Sequence, residues 1–426
     1  MIDIRLLRES PEQVRAAIAR RRGQHGDLLD AILDLDARRR QLLQEVEKLK
    51  AERNSASEEV ARRKRAKEDV GAALNGLKAL SDRIKALDDQ ERAADTRLQE
   101  RLSQVPNLPL PDVPDGDAAA NRVVRTWGEP PALAFTPRPH WEIGQTLEIL
   151  DLPRGAKLTG SGFPVFTGLG ARLVRALVNF MLDLHTREHG YQEVAPPLLV
   201  NRESARGTGQ LPDLEQNMYV TEDGLYLIPT AEVPVTNLHR DEILPAEALP
   251  RGYVASTPCF RREAGAHGKD TRGLIRIHQF DKVELVRFST PEQSPAEHQT
   301  LLGHAEAVLQ RLQIPYRVVL LAAGDIGVAS AKTYDLEVWA AGVGTWLEAS
   351  SASSFTDFQA RRANIRYRPR PDSRPEFLHT LNASGVALPR TIIALLENNQ
   401  QPDGSVLIPQ PLASYLGRDR LAPGGA

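Results

Sequence analysis

Cysteine is nearly absent: Cys259 is the only one in 426 residues. That excludes an internal disulfide and a cysteine-rich zinc cluster, and it fits a reducing compartment. Cys259 itself lies between Pro258 and Phe260 and reads as small core filler rather than a nucleophile. No apolar run reaches transmembrane length, and Met1-Ile-Asp-Ile-Arg5 does not open a signal peptide. A cytoplasmic protein with no membrane partner is expected. Charge of one sign is also lacking, since the net charge is -2. Contact with nucleic acid must then come from a local patch. No convincing Ser/His/Asp or Cys/His constellation is visible. The hydrophobic content of 41% is ordinary for a globular chain, and the length suits two domains or one large domain with an appendage.

Proline is missing between Pro11 and Pro106, and helical patterns fill the gap. Ser10-Pro11-Glu12 is a helix start, with an N-cap, a first-turn proline and an acidic residue against the dipole. A short helix to about Arg22 is expected. A long one begins near Asp27, carrying Leu28, Ile32, Leu35, Leu42, Val46, Leu49 and Ala56 at four-three spacing, with Arg39 and Arg53 at the skipped positions. A second run holds Leu77, Leu80, Ile84, Leu87, Ala94, Leu98 and Val105 and skips Glu91 and Arg101. Both are heptad seams. The simplest geometry is an antiparallel hairpin, each helix on the order of 50 Å long at about 1.5 Å per residue. Its tip would carry Arg62, Arg63, Lys64, Arg65 and Lys67. A spacer or dimerisation arm is the plainer reading; the basic tip favours RNA, because a narrow arm buries little and its charge is its main chemical asset.

Residues 1–105 thus read as an arm, 106–120 as a connector with four prolines between Pro106 and Pro114, and 121–426 as a globular domain. In that domain a strand is expected over 121–127 and a helix over 171–188. Gly168-Leu-Gly170 ahead of that helix is better explained by tight packing than by phosphate binding. Residues 190–200 read as a strand broken by Pro196 and Pro197, hence an edge or bulge where another subunit could pack. Residues 225–234 read as a strand ending in Thr230-Ala231-Glu232, a hydroxyl and a carboxylate suited to an ammonium-bearing ligand, with a helix N-cap by Thr230 as the plainer option. Further on come a helix over 296–313 and strands over 316–321 and 345–351, the last with Glu348 and Ser351 as oxygen ligands for a hard cation. Residues 355–366 look helical or irregular. From Leu381 a strand or turn passes Gly385 into an apolar helix opened by Pro389. Arg390 in its first turn opposes the helix dipole, which implies an anion nearby.

The stretch 257–286 is the most informative. Strands over 253–260 and 280–286 flank a loop holding Gly265, Gly268 and Gly273 among Arg261, Arg262, Lys269, Arg272 and Arg276. Long loops inside compact domains are usually functional, and several guanidinium groups on flexible backbone suit a polyphosphate. Glu263 and Glu284 would partly neutralise the charge. His267 and His278 are expected in structural or loop roles. A solvated basic hairpin is the alternative.

Three separated stretches then resemble the class II aminoacyl-tRNA synthetases. Pro197 closing a strand is similar to their motif 1, Phe260-Arg261-Arg262-Glu263 to motif 2, and Arg390 at a helix start to motif 3. Thr230-Ala-Glu232, Thr271-Arg-Gly-Leu-Ile-Arg276, His278-Gln-Phe-Asp-Lys-Val-Glu284, Asp357-Phe-Gln-Ala-Arg-Arg362 and the helical arm narrow the resemblance to the bacterial-type seryl-tRNA synthetases, over essentially the whole chain. The resemblance implies an α+β fold, an antiparallel sheet flanked by helices with a long N-terminal antiparallel coiled-coil arm, and a homodimer. It implies a serine–tRNA ligase that makes seryl-adenylate from L-serine and ATP, then transfers the seryl group to tRNA(Ser) and also tRNA(Sec), with Mg²⁺. By the same resemblance Arg261 grips the α-phosphate, Glu263 reads adenine and Phe280 stacks on it. Arg390 stacks on the nucleotide and holds the γ-phosphate. Arg262 and the run Glu348-Ala349-Ser350-Ser351 belong to the ATP site, with Glu348 and Ser351 holding the metal. Thr230, Ala231, Glu232, Glu284 and Ser384 form the serine pocket, and Arg261 and Arg390 are the catalytic pair. The five basic residues of the arm tip contact tRNA as a region. The chain departs from the family pattern at Ala349, where Ile is common, and at Pro389, where Gly often precedes the arginine.

Overall fold

A computed structural model of the chain describes residues 1–23, 25–264 and 272–424. Of the expected cationic loop, Gly265, His267, Gly268, Lys269 and Thr271 lie outside the described residues. The chain divides into two compact units, one of Ile2–Ala19 with Gly23–Pro106, the other of Met1, Arg20–Arg22 and Asn107–Ala426.

The first unit is helical. Two short helices, α1 (Ile4–Glu9) and α2 (Pro11–Ala19), precede α3 (Gly26–Arg65) and α4 (Gly71–Leu102). At about 1.5 Å per residue the 40-residue α3 is about 60 Å long. Leu42, Val46 and Leu49 of α3 pack on Ile84, Leu87 and Ala94 of α4. Each buried Leu or Ile contributes about 2 kcal/mol here. The helices run antiparallel: Arg39 pairs with Glu91 and Asp95, Lys50 with Asp88 and Arg83 with Glu45. The skipped seam positions Arg39 and Glu91 are therefore partners. Near its start α3 turns a different face inward from the one expected. Leu29 and Asp36 are buried, whereas Leu28 and Leu35 are only half-buried. Asp36 is drawn in by Arg8 of α1 at 2.9 Å and by Arg40 at 3.0 Å. The short helix α2 also ends at Ala19 rather than near Arg22.

The second unit is built on one sheet. Its strands are β1 (Arg122–Trp127), β2 (Gln192–Glu193), β3 (Arg251–Phe260), β4 (Gln279–Ser289), β5 (Tyr316–Leu320), β6 (Lys332–Ala340), β7 (Thr345–Ser354) and β8 (His379–Ala387). They lie in the order β1-β5-β6-β7-β8-β4-β3-β2, antiparallel except where β2 pairs with β3. The proline-broken segment after Gly190 thus supplies an edge strand, as expected. Three helices cover one face: α5 (Leu169–Arg187), α6 (Ser294–Arg311) and α7 (Leu388–Asn398). Leu173, Leu177, Leu301, Val308, Ile392 and Leu396 from these helices meet Val283, Leu285, Val318 and Leu336 from the sheet in the main core. Gly170 is a packing glycine, since a Cβ there would reach 2.1 Å from the Ile149 carbonyl oxygen. The proline-rich connector is ordered: Val113 packs with Val319, Leu321 and Ile326, and the Asn107 side chain donates to the Phe355 carbonyl at 2.7 Å.

One further expectation is corrected. Residues 225–234 are not one strand, because only Tyr226–Leu227 pairs and Glu232–Thr236 is a helical turn. Thr230 accepts from the Glu232 amide at 3.2 Å, satisfying a free N–H at the start of that turn. Residues Gln410–Leu416 form a helix that the proline-flanked sequence did not reveal. Among the described residues no helix is long and apolar enough to cross a membrane.

Candidate active site

The face of the sheet opposite the three helices carries the site. Strand alternation sends Val283 and Leu285 of β4 into the main core, so Phe280, Lys282 and Glu284 share the other face. β3 and β4 pair along their length, from Arg251 opposite Phe288 to Phe260 opposite Gln279. Arg261 extends that pairing through its amide, which donates to the His278 carbonyl at 2.8 Å. His278 Nδ1 donates back to the Arg261 carbonyl at 2.9 Å, so this histidine is structural, as expected. The Arg261 guanidinium lies over the Phe280 ring, 5.2 Å from its centroid, and its Nε donates to the Pro229 carbonyl at 3.2 Å. Glu263, with φ of +50°, turns its carboxylate onto Arg276.

The serine-pocket candidates converge from four segments. Glu232 is buried, and Gln359 at 2.6 Å and Asn382 at 3.1 Å donate to its two oxygens. The same Asn382 amide donates to Glu284 at 2.8 Å. Lys282 lies 2.5 Å from Glu284 and donates to Thr230 Oγ1 at 2.9 Å. Burial, and then the Glu284 charge, push the Glu232 carboxyl up to about 7. Ser384 faces Glu284 across β8 and β4, where a bulge ahead of Ala387 inserts an extra residue. Val386 in that bulge has φ of +98°, a strained conformation for a β-branched residue. The bulge sits between Ser384 and the helix that starts at Leu388 and carries Arg390.

A second bulge places the oxygen ligands. Glu348 and Ser351 are three apart, and regular alternation would split them across the sheet. The register between β6 and β7 shifts at Ala349, with Leu336 opposite Ser350 but Glu337 opposite Glu348. Both side chains therefore line one cavity. Ser351 Oγ donates to Asp335 and lies 3.4 Å from Glu348. Burial, then the Glu348 charge, push the Asp335 carboxyl well above its ordinary range. Two carboxylates and a hydroxyl that want a cation fit a hard metal ion. Among the described residues no group of three or more His, Cys, Asp or Glu could hold a metal ion, so a cation here would need further ligands. Arg390 lies 3.3 Å from the Glu348 carboxylate.

These groups open on two adjoining cavities of about 620 and 190 Å³. Thr230, Glu232, Ser351 and Asn382 line the larger, Phe280, Ala349 and Arg390 the smaller, and Arg261, Glu263, Lys282, Glu348 and Ser384 both. Glu284 is buried and lines neither, though it lies 2.5 Å from Lys282. Three candidates are not brought in. Arg262 faces a separate surface recess beside Glu215 and Tyr219. Ser350 turns back to donate to the Ser384 carbonyl at 2.6 Å, and Ala231 is fully buried. Four further side chains went unread. Lys282 was visible as the residue between Phe280 and Glu284 at alternate positions. Asp335 opens an acidic–apolar alternation and Gln359 lies within the stretch 357–362, yet neither pattern points to this site, and Asn382 carries no local signal; long-range pairing brings all three here.

The arm-tip candidates belong to the other unit. Arg62 pairs with Glu59 at 2.7 Å and Arg63 with Glu68 at 3.0 Å, whereas Lys64, Arg65 and Lys67 are exposed.

Known proteins match at both ends of the chain. The family described as "Seryl-tRNA synthetase N-terminal domain" matches residues 1–109, and "tRNA synthetase class II core domain (G, H, P, S and T)" matches residues 217–399. A serine–tRNA ligase of Gemmatimonas aurantiaca is 56% identical over 426 residues, 99% of this chain and 100% of its own. The chain belongs to the seryl-tRNA synthetase family. A serine–tRNA ligase of Citrifermentans bemidjiense is 55% identical over 421 residues, covering 98% of this chain and 99% of its own. A seryl-tRNA synthetase from Pyrococcus horikoshii, solved with ATP, is 38% identical with a TM-score of 0.94, and the match covers 100% of both chains. The enzyme is thus a class II aminoacyl-tRNA synthetase with the mixed fold, antiparallel sheet and helical arm of its family.

Proposed function

We propose that this cleft carries out serine–tRNA ligation with the roles that follow. One observation carries the reading: Glu232 is a buried carboxylate held only by amide donors, beside a Lys282–Glu284 pair already neutral in sum. No cation is paired with Glu232 among the described residues, and the serine ammonium supplies one. The serine carboxylate oxygen then attacks the α-phosphorus of ATP; the bond to the β-bridging oxygen breaks and pyrophosphate leaves. A carboxylate is already ionised, so no general base is needed, and catalysis is positioning and charge stabilisation. Arg261 neutralises the α-phosphate, Phe280 and Glu263 take the adenine, and Arg390 holds the γ-phosphate end. Glu348 and Ser351 would hold Mg²⁺, which when bound supplies positive charge to the phosphate oxygens. Asp335 stands beside them. In the second step a ribose hydroxyl at the tRNA 3′ end attacks the adenylate carbonyl and AMP leaves. Serine over alanine follows from Ser384, whose hydroxyl alanine would leave unpaired, whereas Glu284 already holds Asn382 and Lys282.

We assign residues 1–105 to a tRNA-binding arm, 106–120 to a connector and 121–426 to catalysis. The arm tip reaches tRNA(Ser), and tRNA(Sec) by the same features, through shape and phosphate contacts. The active form is a cytoplasmic homodimer whose copies meet at the proline-broken edge segment. The test is serine-stimulated exchange of pyrophosphate with ATP across a panel of amino acids. Serine alone should drive it, and equal stimulation by threonine, proline or glycine would overturn the serine assignment. Arg261→Ala should slow that exchange by about 100-fold or more, and an unchanged rate removes Arg261 from the mechanism.

A further inference from the structure

Lys282 has no contact with substrate in the roles above, only the neutralising of Glu284. It is 5% exposed and lines both cavities. Its Nζ lies 2.5 Å from a Glu284 oxygen and 2.9 Å from Thr230 Oγ1. Thr230 Oγ1 also accepts from the Glu232 amide at 3.2 Å. A hydroxyl oxygen has two acceptor sites and one proton to donate. Both acceptor sites of Thr230 are therefore spent within the protein, and its O–H can only donate. An ammonium consists of donors alone, so Thr230 cannot receive it. Glu284 is already paired with Lys282, which leaves Glu232 as the carboxylate for the ammonium. Thr230 must meet an acceptor, and serine offers one in its carboxylate or its hydroxyl.

We infer that Lys282 is a positioning residue for serine: by holding Glu284 and the acceptor side of Thr230, it assigns the ammonium to Glu232 and a serine oxygen to the Thr230 hydroxyl. This rests on the reading of the cavity as the serine pocket. It revises the expectation that Thr230 and Glu232 together capture the ammonium. Without the Lys282 charge the ammonium would find two buried carboxylates competing for it. The Thr230 hydroxyl would be free to turn, and serine would settle with its carboxylate out of line with the α-phosphate. Because Lys282 also faces the nucleotide side of the cleft, ATP binding must be measured separately.

The experiment uses the full-length enzyme and Lys282→Met, Lys282→Arg and Glu232→Gln. It measures pyrophosphate exchange against serine concentration and pH, and ATP affinity by calorimetry. Lys282→Met should lose about 100-fold in kcat/KM for serine while ATP affinity stays within about twofold. Its acid limb should also move to higher pH. The charges facing Glu232 are Lys282 and Arg261, which hold its pKa down, and Glu284, which raises it; the buried Cys259 thiol lies near the same three. Removing Lys282 deletes a restraining charge, an effect a merely structural role would not have. Lys282→Arg should restore the acid limb even where the rate is not restored. A Lys282→Met enzyme with unchanged serine kinetics overturns the inference, as does an acid limb that moves equally in Lys282→Arg. Loss of ATP binding in Lys282→Met also overturns the inference, since Lys282 would then act on the nucleotide. Unchanged serine kinetics in Glu232→Gln would instead overturn the pocket reading itself.

Discussion

Serine binding should weaken steeply below neutral pH, and Glu232 fixes where. The ammonium needs the Glu232 carboxylate ionised, and its pKa in the free enzyme stands at about 7. At pH 8 the group is about nine-tenths ionised, and at pH 6 about one-tenth. The serine dissociation constant should therefore rise about tenfold from pH 8 to pH 6. Calorimetric titration of serine into the ATP-free enzyme reads this directly. A flat profile across that range would refute the assignment of the ammonium to Glu232. The same group leaves a mark on stability. Its pKa is raised in the folded state, so folding favours the protonated form, and stability is lost as pH rises from the ordinary value of 4.5 through about 7. Between pH 5 and pH 8 that loss is on the order of 2–3 kcal/mol. Glu232→Gln cannot titrate, so its unfolding free energy should gain on the wild type by that amount across the range. Taking the difference cancels the titrating groups that do not interact with Glu232, and any fixed cost of the amide. A difference independent of pH in urea unfolding would place the Glu232 carboxyl near its ordinary range.

Removing residues 28–104 should leave serine-dependent pyrophosphate exchange intact and abolish charging of tRNA; near-normal charging would refute the role of the arm. Gly385→Ala should raise the serine KM about tenfold and cost about 1–3 kcal/mol, because the new Cβ would meet His185 Nε2 at 2.9 Å and Val283 at 3.2 Å. Unaltered serine kinetics in that variant would separate the bulge from the pocket. Glu397→Gln should destabilise the enzyme by about 3 kcal/mol. The carboxylate accepts from the His140 amide and Nδ1 and from the amides of Gly342 and Val343, at 2.7–3.0 Å. A loss under about 1 kcal/mol in urea unfolding would show that the glutamine amide is accommodated there.

Legibility followed the range of the interaction. Periodicity placed the arm seam, but not the inward turn at Leu29 and Asp36, because Arg8 acts from another helix. Alternation placed β3 and β4 and would have found Lys282. It misled at Thr230-Ala-Glu232, where a short apolar run reads as strand while the backbone turns helical after Ala231. It also failed at Glu348 and Ser351, which share a face only because of a bulge. Motif resemblance named Arg261, Glu263, Phe280 and Arg390, which the fold brings to one cleft. The same resemblance named Arg262 and Ser350, which face elsewhere.

The sequence by itself determined the two-part plan: a proline-free heptad stretch can only bury its seam against another helix, and alternating strands around a glycine- and arginine-rich loop can only present that loop at one end. It also determined the kinds of group available for chemistry. Tertiary structure alone decided their states. The polarity of Thr230, the lone carboxylate of Glu232 and the crowding of Asp335 against Glu348 arise from neighbours up to 150 residues away in the chain. Hydrogen-bond saturation and desolvation depend on what closes over a group, and no window of sequence contains that.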